Sequence, residues 1–362
     1  MRFHLSDEQE QMRDTVLRYA VDKGNAGARR EAFDSDKGFH ADFWSGLMGL
    51  GLGGIMLPAE HEGMGLEMID LAIVAEALGY AAAPGPFLGH ALAGYAIACA
   101  GDKAQRDRWL PALASGKIIG TVALSEPHDA WEPNQWHLDL HDGHLTGEKT
   151  NVLYPDYANI IVVGVQNGEL ALVEADAPGM SVEVLDVADR TRRLWDVRFD
   201  ATPAVPLGHG HGASARVLEA GRILLAADAC GGANYLLELS VHYAQTREQF
   251  GGPIGRFQGL KHQLANMAVR VEPIRSLCWY AAHAFDHVPQ DRCRMAAIAK
   301  AHATECFMQT ARDSIEAHGG IGYTWDYDAQ LWFKRAMFDF AYLGSPAALR
   351  SWAADLADWR TP

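Results

Sequence analysis

The chain has 362 residues and a formal charge of −15; 49% of it is hydrophobic and 21% charged, the make-up of a globular protein with room for a large core and more than one domain. The acidity argues against binding to nucleic acid or to anionic membranes, since both need clustered Lys and Arg. No run reaches the ~18 apolar residues of a membrane span, MRFHLSDEQEQMRDTV lacks the apolar stretch of a secretory signal, and the five scattered cysteines (Cys99, Cys230, Cys278, Cys293, Cys306) read as buried free thiols of a reducing cytoplasm.

In chain order, the first segment is helical. Ser6 and Gln9 form a capping-box pattern, and Met12, Val16, Tyr19 and Ala20 then recur at helical spacing. Helical patterns continue to residue 118, defining an N-terminal helical domain over 1–118. From residue 119 the texture becomes short, alternating and β-rich, as in ANIIVVGVQNGELALVEAD. Asp142-Gly143 and Asn167-Gly168 sit between such runs as hairpin turns should. This marks a middle antiparallel β domain over 119–212. Long helical patterns then run from Ala213 to Gly251, from Phe257 to Phe285 and from Arg292 to His318. They predict an antiparallel C-terminal bundle over 213–362.

Two stretches of the bundle carry chemistry. In Tyr243-Ala-Gln-Thr-Arg247-Glu-Gln249-Phe250-Gly251, the Arg falls in the last helical turn beside an aromatic residue and glycines. Arg247 can be read as a bidentate phosphate ligand or as an ordinary dipole-compensating cation at a helix C-terminus. In Glu316-Ala-His318-Gly319-Gly320-Ile-Gly322-Tyr323, paired glycines either stop a helix or open backbone N–H groups to a polyphosphate. His209-Gly-His211 has no acid or Cys nearby, so no metal role is assigned to it. His262 reads as a plain helix-face histidine.

Taken together, TREQFGGPIGRFQGLKHQLANMAV and EAHGGIGYTWDYDAQLWFKRA resemble the C-terminal domain of the acyl-CoA dehydrogenase family. The α-β-α order extends the resemblance over essentially the whole chain. It implies a multidomain α+β fold: an N-terminal helical domain, a middle antiparallel β domain and a C-terminal four-helix bundle, assembled as a tetramer with FAD across a subunit interface. It further implies that Arg247 meets the FAD pyrophosphate, with Gln249, Phe250, Gly319, Gly320 and position 316 around the ADP half. Position 316 is usually Gln in the family and is Glu here, which places a carboxylate near a pyrophosphate.

The family chemistry oxidises the Cα–Cβ bond of an acyl-CoA thioester. It needs a carboxylate base, a hydride acceptor and donors for the thioester oxygen. The commonest family base is the Glu of a Tyr-Glu-Gly-Thr turn; this chain has Tyr342-Leu343-Gly344-Ser345. A second family position for the Glu, before an Arg, is Gly221 before Arg222. The family's Thr-Glu-Pro-Gly-Ala-Gly-Ser-Asp loop becomes Leu124-Ser125-Glu126-Pro127-His128-Asp129-Ala130-Trp131, leaving Ser125 as a donor to a flavin ring. Asn151 and Leu153 replace the Trp and Thr that flank that ring. Trp131 and Trp136 can wall an enlarged acyl pocket or simply pack.

The ADP motif is thus kept while the motifs for ring, thioester and base are eroded. In this the chain resembles the smaller subunit of the heterotetrameric bacterial acyl-CoA dehydrogenases of steroid side-chain degradation. That resemblance implies no catalytic residue in this chain, a homologous partner subunit that supplies the Glu, and a cytoplasmic enzyme passing electrons to an electron-transfer flavoprotein. Two other readings stay open: a homotetramer with Asp228 as base, on the face of Gly221 and roughly 10 Å further along the helix, and a non-catalytic scaffold of the same fold.

Overall fold

A computed structural model describes residues 4–208 and 212–357. Helices come first: α1 (Asp7–Lys23), α2 (Ala26–Asp34), α3 (Ala41–Gly49), α4 (Met68–Tyr80), α5 (Phe87–Ala100) and α6 (Lys103–Ala114). Strands follow: β1 (Gly120–Ala123), β2 (Leu140–His141), β3 (His144–Leu153), β4 (Ile160–Val165), β5 (Glu169–Glu174), β6 (Met180–Val184), β7 (Leu194–Pro203) and β8 (Val205–Pro206). The long helix α7 (Ala213–Thr246) then leads into a short hairpin of β9 (Glu248–Gln249) and β10 (Gly252–Pro253). The chain closes with α8 (Gln258–His287), α9 (Pro289–His318), α10 (Ala329–Ala341) and α11 (Pro346–Asp355). None of the described helices is long and apolar enough to cross a membrane.

The described residues group into two compact units, one of residues 4–30, 72–83 and 222–357, the other of 31–71, 84–208 and 212–221. The second unit holds two four-stranded sheets, ordered β1-β4-β5-β8 and β2-β3-β7-β6. The ladders are antiparallel as the sequence predicts, except that β1 pairs parallel with β4. Asp142 and Gly143 take positive φ and close a two-residue hairpin between His141 and His144, and Asn167 and Gly168 take positive φ in the three-residue loop between Val165 and Glu169. Both inner faces meet in one apolar cluster that includes Leu145, Val152, Ile161, Val163, Val173, Val197 and Phe199.

Helix α5 is apolar all round, and its buried positions include Phe87, Leu92 and Ile97, as expected of a helix enclosed by its own unit. It carries one buried imidazole. His90 sits 3.1 Å from the Leu113 carbonyl through Nε2, and its Nδ1 lies 3.3 Å from the Gly120 amide. The two contacts fix the neutral tautomer with the proton on Nε2. Desolvation is the largest influence on the ring and pushes its pKa down to about 4.

In the first unit, α1 starts at the capping box of Ser6 and Gln9 read from the sequence. Backbones come close where glycines allow it. A methyl on Gly79 would stand 2.1 Å from the Asp228 carbonyl, and one on Gly231 would stand 1.9 Å from the Glu76 carbonyl. Around this crossing, Tyr235 stacks on Trp332 at 3.9 Å and the Arg29 guanidinium lies 4.5 Å from the Trp332 ring centroid.

Candidate functional site

The ends of α7 and α9 lie side by side. Ser240 Oγ donates to Ser314 Oγ at 2.8 Å, and the rings of Tyr243 and His318 are 4.4 Å apart. Arg247 lies one turn beyond Tyr243, and Gly319 follows His318 directly. Two stretches just over seventy positions apart in the chain are thereby brought to one end of the helical unit. His318 is fixed there by its Nδ1, 2.6 Å from the Ser314 carbonyl, while burial lowers its pKa more than that bond raises it.

The sequence runs this helix to Gly251; in the structure it ends sooner, and Arg247 closes its last turn by donating its amide to the Tyr243 carbonyl at 2.8 Å. The helix stops at Thr246, and residues 248–253 fold back as a hairpin. The reason lies at the tip, where Phe250 (φ 54°) and Gly251 (φ 85°) form a two-residue turn with positive φ at both central positions. Such turns favour Asn-Gly; a bulky residue there costs about 1–2 kcal/mol. The amide of Ile254 donates to the Arg247 carbonyl at 2.9 Å and closes the base of the hairpin. Among the described residues, the Arg247 guanidinium has no hydrogen-bond or ion-pair partner, and Phe250 is 85% exposed.

Gly319 caps α9 with φ 65° and ψ −144°, a conformation essentially closed to other residues. Gly320 follows in an exposed stretch, and a methyl on either glycine meets no heavy atom within 4 Å. Glu316 is exposed one turn earlier and accepts from Gln263 Nε2 at 3.3 Å. Gln249 is exposed on the hairpin. An unpartnered cation, a flat exposed ring and an open glycine pair suit a diphosphate joined to an aromatic base. The sequence reading passed over Arg256, which donates to the carbonyl oxygens of both tip residues, at 3.2 Å for Gly251. A cation six residues past Phe250 carries no local signal of this role.

The turn after α10 is a different place. Leu343 has φ 58° and Gly344 φ 104°, so the tight turn is present, but Leu343 is fully buried and not displayed. Two buried cations hold its backbone. Arg222 Nε donates to the Leu343 carbonyl at 3.2 Å; Lys300 Nζ donates to the Phe340 carbonyl at 2.9 Å and to the Gly344 carbonyl. Desolvation dominates at Lys300 and pushes its pKa down to about 7, opposed by the charge of Asp339. Ser345 then caps α11 by accepting from the Ala348 amide at 3.3 Å.

Asp228, weighed as a substitute base, is committed elsewhere. Its two oxygens are gripped by Arg335, Nε to Oδ1 at 2.8 Å and Nη2 to Oδ2 at 2.6 Å, in a pair that is 1% and 3% exposed. Both carboxylate oxygens are thus occupied by a buried guanidinium, an arrangement that suits a structural ion pair better than a base facing a substrate carbon.

In the sheet-bearing unit, Ser125 is fully buried, with its hydroxyl 3.2 Å from Thr150 Oγ1. Glu126 pairs with buried Lys149 at 2.7 Å and accepts from the amides of His137 (2.8 Å) and Leu138 (3.0 Å). Burial alone would raise the pKa of Glu126, but these donors hold it below its usual range. The loop between Glu126 and Ala130 closes on itself through paired backbone bonds, with His128 (φ 68°) and Asp129 (φ 57°) at its tip. Trp131 and Trp136 are both buried, and Trp136 packs on Gly164, where a methyl would stand 2.5 Å from its ring. Both rings pack inside this unit. Asn151 takes φ 56° at a break in the β3–β7 register. His209 and His211 lie outside the described residues. His262 is exposed on α8.

Comparison with known proteins adds to this geometry. Residues 6–117 match the family model for the acyl-CoA dehydrogenase N-terminal domain, and residues 208–355 match that for the C-terminal domain. The chain is 32% identical to acyl-CoA dehydrogenase IpdE2 of Mycolicibacterium smegmatis, over 94% of this chain and 96% of that one. Among solved structures it superposes on a chain of the Tcur3481-Tcur3483 steroid ACAD G363A variant with a TM-score of 0.90 and 31% identity, covering 97% of each. It also superposes on a chain of the ChsE4-ChsE5 complex from Mycobacterium tuberculosis with a TM-score of 0.88 and 25% identity, covering 100% of each.

Proposed function

The chain belongs to the acyl-CoA dehydrogenase family, and from that premise we propose that it is one of two kinds of subunit in an FAD-dependent acyl-CoA dehydrogenase. It grips the ADP half of a flavin; a homologous partner chain supplies the catalytic Glu and the pocket for the ring. The carrying observation is the contrast between the two turns. The end holding Arg247, Phe250, Gly319 and Gly320 is open, whereas the turn at the family's acid position is filled by buried Leu343. The steroid ACAD and the ChsE4-ChsE5 complex, each named for two chains, support a paired assembly, and the former supports a steroid-derived acyl group.

The roles divide accordingly. Bound FAD supplies the hydride acceptor for the substrate Cβ. Arg247 neutralises diphosphate charge through its fork of donors. Phe250 offers a face to the adenine, and the glycine pair lets the diphosphate approach the backbone. Glu316 accepts from ribose hydroxyls, a role consistent with its hydrogen bond from Gln263. In this chain no described carboxylate occupies either family position of the base, so the α-proton passes to a group on the partner.

Producing the chain alone and together with a homologous partner tests this. The expected result is about one flavin for every two chains in the complex and dehydrogenation only there. Full flavin loading and turnover by this chain alone would sink the proposal.

A further inference from the structure

We propose that Arg256 is a positioning residue for the ADP grip, an inference that rests on the function proposed above. Its guanidinium donates to the carbonyl oxygens of both tip residues, Phe250 and Gly251. It also lies 5.0 Å from the Phe257 ring centroid, and Phe257 in turn meets Phe250 edge to face at 6.0 Å. These contacts surround a residue that has little else to hold it, since Phe250 is 85% exposed with a left-handed backbone. Left to its own preferences, a Phe-Gly tip relaxes out of the positive-φ turn. The ring would then swing away, and Arg247 would lose its place, because the hairpin closes on the Arg247 carbonyl through Ile254.

Only Arg suits this task. Two carbonyl oxygens on successive residues need two donors in fixed relation, which a guanidinium supplies and an ammonium on a flexible stem does not. Arg256 therefore acts through Phe250 and Arg247 by holding the shape of the turn, and its charge is secondary.

The test titrates the full chain with ADP, comparing wild type with Arg247→Ala, Arg256→Ala, Arg256→Lys, Phe250→Gly and the Phe250→Gly/Arg256→Ala double variant. Arg256→Ala is expected to weaken ADP binding about tenfold, the cost of releasing one strained turn. Arg256→Lys should do nearly the same, with the melting temperature unchanged in both. In the Phe250→Gly background, where the turn needs no restraint, adding Arg256→Ala should change affinity by less than about twofold.

Wild-type affinity in Arg256→Lys would mean that charge alone matters and would overturn the positioning role. So would an undiminished effect of Arg256→Ala in the Phe250→Gly background. Loss of binding in Arg247→Ala with none in Arg256→Ala would defeat this inference while leaving the proposed function standing. No ADP binding by wild type, or no effect of Arg247→Ala, would defeat both.

Discussion

Truncating Leu343 to Ala is expected to destabilise the helical unit by about 2–5 kcal/mol, because a fully buried leucine leaves a cavity its neighbours fill only in part. Denaturant unfolding checks it; a loss below ~1 kcal/mol would show that the side chain is not a packing element. His90 gives a second prediction. Its folded pKa of about 4 lies below the ordinary 6.5, so the unfolded chain binds the extra proton first as pH falls. The stability this histidine contributes is complete above pH 6.5, declines as pH drops toward 4 and levels off below, roughly 3 kcal/mol in all. His90→Gln should flatten that part of the pH profile, and an unchanged slope between pH 6.5 and 4 would refute the assignment. Single residues were unevenly legible. The Arg247 and Gly319–Gly320 pattern could be read because short spacing carries it. The clamp of Arg335 on Asp228 could not, because its partners stand 107 positions apart and only tertiary packing brings them together.

Where Gly79 and Gly231 let α4 and α7 cross, side-chain volume has nowhere to go. Gly231→Ala puts a methyl 1.9 Å from a backbone carbonyl, and the helices must separate, at about 1–3 kcal/mol. Helix propensity alone points the other way, since Ala outranks Gly in a helix interior by about 1 kcal/mol. Calorimetry on the variant decides which effect wins; a raised melting temperature would mean the crossing is loose. The elements themselves were largely readable: the capping box at Ser6, the Asp142-Gly143 turn and the long bundle helices all follow local rules. The hairpin after α7 was not, because its tip uses Phe where local rules ask for Asn. The parallel pairing of β1 with β4 also escaped, since no local pattern encodes which strand a distant one will join.

For the molecule as a whole, two compact units mean that heat or denaturant can report two steps. On the proposed ADP grip, ADP at about 100 times its dissociation constant should raise the stability of the step belonging to the unit of residues 4–30, 72–83 and 222–357 by about 2.7 kcal/mol, and the step of the sheet-bearing unit should stay where it is. Equal shifts in both steps would show that the nucleotide binds elsewhere or that the units unfold as one. The exposed rim at the grip has one more consequence. Phe250 (85% exposed), Tyr323 (74%), Trp325 (49%) and Phe257 (41%) sit in the segments that follow α7 and α9, and on the proposed assembly a copy without its counterpart shows them all to water. Such an orphan is the sticky form of the protein. On the proposed two-chain assembly, a cell does best to make both chains in matched amounts, and light scattering on a mixture titrated through equal proportions should find the minimum of aggregation there.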